Sequence, residues 1–167
     1  MKTSLLKKIV VVVCVAILLF AGYLFYSRPT TIEQRYPMLT LDKCILIYGN
    51  YYDYDGRGTA LSEFSFAEDS EEYTKLCALF FEQEYRRSIR DIFPRGPRTH
   101  QPKPGDYEWK VSFLFKDIEL PDGSVSDVTL HFQNWYGELD IYVDREKYAC
   151  NVREQEIWAK EVLDLIQ

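Results

Sequence analysis

Three hydrophobic patterns follow one another along this chain. The first is a solid block. Residues 9–26 read IVVVVCVAILLFAGYLFY, 18 positions without a charge or a proline. Such a run predicts a membrane-spanning helix, because the hydrocarbon core is ~30 Å thick and a helix rises ~1.5 Å per residue. In lipid the segment must satisfy its own backbone hydrogen bonds, and a helix does so.

The second pattern is alternation. Tyr107, Trp109, Val111, Phe113 and Phe115 fall on one face, and Glu108, Lys110 and Ser112 on the other. Val128, Leu130 and Phe132 alternate with Thr129, His131 and Gln133, and Leu139, Ile141 and Val143 with Asp140 and Tyr142. Period two with one polar face predicts half-buried strands of an antiparallel sheet. Pro121-Asp122-Gly123 and Asn134–Gly137 supply turns, and Tyr148–Cys150 a short last strand, giving a meander. Upstream, the apolar run Lys43–Tyr48 and the alternating stretch Ala60–Phe66 predict a hairpin around the long loop Gly49–Thr59.

The third pattern is helical. Tyr73, Leu76, Cys77, Phe80, Phe81 and Tyr85 recur at three- and four-residue spacing, with Asp69 and Glu72 as a capping box and Pro94 as the stop. A second stripe holds Ile157, Trp158, Val162, Leu165 and Ile166, with Asn151 as its cap. The elements run ββαβββ(β)α. This is an α+β, two-layer domain whose two helices pack on one face of an antiparallel sheet. The other face would carry Lys110, Thr129, His131, Gln133 and Asp140.

The charges flanking the apolar block orient it. Lys2, Lys7 and Lys8 precede it, and only Arg28 and Arg35 follow nearby. The positive-inside bias puts residues 1–8 in the cytoplasm as a tail, 9–26 in the membrane as an anchor, and the remainder outside. Residues 27–42, with Pro29 and Pro37, read as an extended linker, and 43–167 as the extracytoplasmic domain. The rival is a cleaved signal peptide. That would want a shorter apolar core and small residues at a cleavage site, whereas Phe20-Ala21-Gly22 puts a bulky ring there. Cys14 lacks the small-residue box of a lipoprotein cysteine.

Charge removes one class of partner. Setting aside the three lysines of residues 1–26 leaves 17 basic against 26 acidic residues, so a net charge of −6 becomes −9. Nucleic acid, which wants a basic surface, is excluded as the expected partner. The lack of an Asn-x-Ser/Thr sequon and the short tail suit a bacterial cell membrane. Cys44, Cys77 and Cys150 allow one bridge outside the cytoplasm, and Cys44–Cys150 is plausible because both fall on strands.

Candidate chemistry is sparse. Asp53–Gly58 resembles a calcium loop only in part, because the first and twelfth positions hold Tyr51 and Ser62. No metal, cofactor or catalytic set is expected. Tyr51, Tyr52 and Tyr54 could dock a partner from the hairpin loop, and Arg86, Arg87 and Arg90 form a basic helix end, continued by Arg95, Arg98 and Lys103. These six tyrosines and arginines are the expected binding residues. The expected function is a membrane-anchored, non-catalytic interaction domain for a protein or other cell-envelope partner. One alternative is an envelope enzyme using His131 with Ser112 or Asp140 beside it; another is a structural protein without a ligand. The sequence sets no oligomeric state.

Overall fold

A computed structural model describes residues 2–54, 59–93, 103–135, 137–143 and 146–167. The apolar block forms helix α1, Lys2–Tyr26. Its segment Lys7–Tyr26, 20 residues long, holds an 18-residue stretch with mean hydropathy 2.8, none of it buried. The helix fits a single-pass membrane anchor, and a signal sequence would share its length and composition.

The chain does not run free after α1. Thr30 and Tyr85 exchange backbone hydrogen bonds of 3.0 and 2.9 Å. Helix α2, Ile32–Arg35, follows at once, closed by a capping box in which Thr31 and Gln34 serve each other's backbone N–H at 3.2 Å. Ile32, Tyr36 and Leu39 are buried in the main core. Residues 30–39 are therefore tied into the fold rather than extended, because their apolar side chains find the space under the sheet. A 3-10 turn, Leu41–Lys43, leads into the first strand.

Strands β1 (Cys44–Tyr54) and β2 (Thr59–Ala67) form the first hairpin. β1 runs six residues past the expected Tyr48, through the stretch read as loop. Its polar, glycine-containing end carries little strand signal of its own. It is held extended because β2 pairs along one edge and the next long strand along the other.

Helix α3, Glu71–Phe81, is capped by Ser70, whose Oγ accepts from Tyr73 N at 3.1 Å. The cap thus lies one residue after the expected Asp69. The helix also stops well before Pro94. Tyr85 turns back inside and donates its hydroxyl to Phe80 O at 2.7 Å, satisfying a carbonyl of the last turn. Tyr85–Arg87 then forms the short strand β3. A 3-10 turn at Ile89–Asp91 follows.

The meander is β4 (Tyr107–Glu119), β5 (Val125–Trp135), β6 (Glu138–Val143) and β7 (Glu146–Val152). β4 breaks register between Phe115 and Ile118, where Asp117 takes a left-handed φ of 52°. Helix α4, Gln155–Ile166, closes the chain. Its cap is Glu154, in a left-handed conformation, rather than Asn151, which stays in β7. Ala159 and Leu163 join the buried stripe, and Ile157 is left out at 59% exposure.

The result is an α+β fold with one seven-stranded antiparallel sheet, ordered β2-β1-β4-β5-β6-β7-β3. α3 and α4 lie on one face. Phe80 of α3 is the hub, with the rings of Phe132, Trp158, Phe113 and Trp109 centred 4.5 to 5.9 Å away. The indoles are oriented by hydrogen bonds to helix carbonyls: Trp109 Nε1 donates to Ala159 O at 3.0 Å, and Trp158 Nε1 to Leu79 O at 3.1 Å.

Candidate binding surface

Strand alternation sorts the functional candidates before any contact is considered. Side chains in register with Phe113 and Phe132 point at the helices, and their neighbours point away. Among the described residues, no helix lies on that second face. Across it run two rows of partners. Tyr48, Ser112, His131 and Tyr142 line up over β1, β4, β5 and β6. Asn50, Lys110, Gln133 and Asp140 form the row beside them.

The centre of the first row is a side-chain pair. His131 Nδ1 and Ser112 Oγ are 2.7 Å apart. Ser112 is only 1% exposed, whereas His131, Tyr48 and Tyr142 are half-buried. Burial, and next the ammonium of Lys110, push the imidazole down to about 4, so His131 is neutral near pH 7. Asp140, the other expected neighbour, pairs with Gln133 instead. Its carboxylate lies 3.3 Å from Lys147 Nζ and 3.8 Å from Arg90 Nη2.

The tyrosine cluster is divided by the strand that carries it. Tyr51 stands opposite Trp109 and packs against the core, while Tyr52 and Tyr54 fall on the open face with Tyr48. The alternative calcium loop includes residues 55–58, which lie outside the described residues. Among the described residues, no three His, Cys, Asp or Glu side chains converge to hold a metal ion.

The three arginines are likewise spread over several surroundings. Arg86 is exposed, opposite Asn151 on β7. Arg87 sits over the rings of Tyr148 and Tyr26, 5.2 and 5.3 Å from their centres. Arg90 is ion-paired with Glu138 and donates to Leu139 O at 3.3 Å. Two of the three are thus engaged within the fold. They also do not form a helix end, since they belong to β3 and the turn after it. Arg95, Arg98 and His100 lie outside the described residues.

The cysteines correct a sequence expectation. Cys44 on β1 and Cys150 on β7 are separated by β4, β5 and β6. At ~4.8 Å per strand spacing they are far beyond disulfide reach. Cys77 of α3 is the true neighbour of Cys44: a hydrogen bond between the thiols pulls Cys44 below its ordinary value and pushes Cys77 up. Both are free thiols here.

Sequence reasoning missed Asp91. Its Oδ1 accepts from Ala149 N at 2.7 Å, beyond the end of β3, and its Oδ2 accepts from the Tyr26 hydroxyl at 2.8 Å. No local pattern marks it, because both partners are distant in sequence. Compared with known proteins, the chain matches no protein-family model, no curated protein and no solved structure.

Proposed function

We propose that this is a single-pass membrane protein with its N-terminus in the cytoplasm, whose folded domain lies outside and binds a protein partner without catalysis. The sheet face that carries neither α3 nor α4 is the binding surface. One observation carries this reading: among the described residues the helices α3 and α4 pack on one face of a seven-stranded sheet, and the other face presents Tyr48, Tyr52, Lys110, His131, Gln133 and Tyr142. Aromatic rings with a few fixed polar groups suit a protein interface, since rings bury large area at low entropic cost. Tethering raises the domain's effective concentration toward anything else on that membrane.

A photo-crosslinking residue at Gln133 or Tyr142 tests this in intact membranes, with one at Glu161 on α4 as the control. A discrete adduct from the sheet positions alone is expected. Adducts of equal yield from α4, or none from the sheet, count against the surface. Protease added to intact cells tests the topology, and a domain that stays protected defeats it.

A second reading rests on the Ser112–His131 pair, which has the spacing of a nucleophile and base. Neutral His131 could accept the hydroxyl proton. At 1% exposure Ser112 would need its neighbours to move before meeting a substrate. Labelling of Ser112 by a fluorophosphonate, lost in His131→Gln, would favour this reading over the first.

A further inference from the structure

We infer that the turn Ile89–Asp91, with Ile92, Phe93 and the nearby Trp135, is a second membrane contact that seats the domain on the same bilayer α1 enters. The inference rests on reading α1 as a retained anchor.

The joint between helix and domain is short. Tyr26, the last residue of α1, donates to Asp91 Oδ2 at 2.8 Å. The guanidinium of Arg87 stands 5.3 Å from the centre of the Tyr26 ring. Four residues after Tyr26, Thr30 is bridged to Tyr85. The apolar segment Lys7–Tyr26 has 20 residues, enough for the hydrocarbon core at ~1.5 Å per residue. Tyr26 then lies at the interface, and a turn bonded to it lies within a few ångströms of the lipid.

That turn is unusually apolar for a surface. Ile89 is 52% exposed, Ile92 48% and Phe93 70%. Among the described residues outside α1, seven large hydrophobic side chains are 47% exposed or more, and three of them fall in these five consecutive positions. A fourth, Trp135, pairs across the hairpin with Glu138, the partner of Arg90 from the same turn. Exposed Arg28 and Arg86 lie on the adjoining chain segments. Exposed Ile, Phe and Trp with arginines on the adjoining segments suit an interfacial contact, with rings at headgroup level and guanidinium groups available to anionic lipid.

The occupant is therefore the bilayer surface, and the test uses the full chain in vesicles of phosphatidylcholine and phosphatidylglycerol. Trp109 and Trp158 are buried, so Trp135 is the tryptophan that lipid can reach. Lipids brominated near the headgroup end of the acyl chain are expected to quench the Trp135 emission, and Trp135→Phe to abolish that loss. In a Cys14→Ala background, where the remaining Cys44, Cys77 and Cys150 are buried, a cysteine introduced in turn at Leu24, Phe93 and Leu61 carries an environment-sensitive dye. Nitroxide lipids should quench the dye at Leu24 and Phe93 alike and leave it bright at Leu61. If Leu24 is quenched while Phe93 and Trp135 behave like Leu61, the anchor stands and the second contact is refuted. If Leu24 is also unquenched, the anchor reading itself falls. A dye at Phe93 that is shielded in cell membranes yet unquenched in pure lipid would assign the patch to a protein partner and overturn the proposal.

Discussion

His131 shows how far one side chain can be moved by its place on a sheet. Burial and the Lys110 ammonium hold its folded value at about 4, below the ordinary 6.5. The unfolded chain therefore binds the proton first as pH falls. The stabilisation from keeping His131 neutral is complete above about pH 6.5 and is lost progressively as pH drops toward 4. His131→Gln is expected to flatten that part of a Tm-against-pH curve, and NMR titration should find the imidazole midpoint well below that of a free histidine. A midpoint near 6.5 would refute the burial argument. Gly49 makes a steric point. A Cβ there would press on the Lys110 backbone carbonyl of β4 and come within 2.8 Å of Phe64 Cζ. Gly49→Ala is expected to destabilise by about 2–3 kcal/mol in chemical denaturation, since the carbonyl cannot give way without moving a strand.

At the scale of elements, the helices are held to the sheet by ring packing more than by their own propensity. Phe80 touches aromatic residues from β4, β5 and α4 at once. Phe80→Ala should cost about 3–5 kcal/mol, read as a lower denaturation midpoint, whereas Phe80→Leu should cost less. The edge strand is secured differently. Arg90 links the turn after β3 to Glu138 and Asp140 of β6, with side-chain exposures of 13, 22 and 17%. Arg90→Ala leaves two carboxylates partly desolvated and is expected to lose about 1–2 kcal/mol, with hydrogen exchange rising first in β3. Unchanged exchange there would mean that the β3–β7 pairing, with the Ser88 N–H and the Asp91 carboxylate that bond the Ala149 backbone, holds the edge without the ion pair.

For the whole molecule, the consequential feature is that α1 is joined to the domain by a bond as well as by the chain. Tyr26→Phe removes only the hydroxyl bonded to Asp91, so it should loosen the helix–domain angle in spin-label distance measurements and leave domain stability within about 0.5 kcal/mol. Much of this architecture was legible in the residues alone. The apolar block, the period-two strands of the meander and the two amphipathic helices are local patterns, and each local period reports which side of an element is greasy. They determined an α+β domain with helices on one sheet face, preceded by a helix fit to cross a membrane. The tertiary structure alone decided that β1 extends to Tyr54, splitting Tyr51 from Tyr52 and Tyr54. It alone placed Cys77 rather than Cys150 beside Cys44, drew Arg90 into an ion pair, and chose Ser112 over Asp140 as the neighbour of His131. The reason is physical: strand pairing, desolvation and ion pairing depend on neighbours far apart along the chain, as Tyr26 and Asp91 are at a separation of 65 residues, and no local period encodes who those neighbours will be.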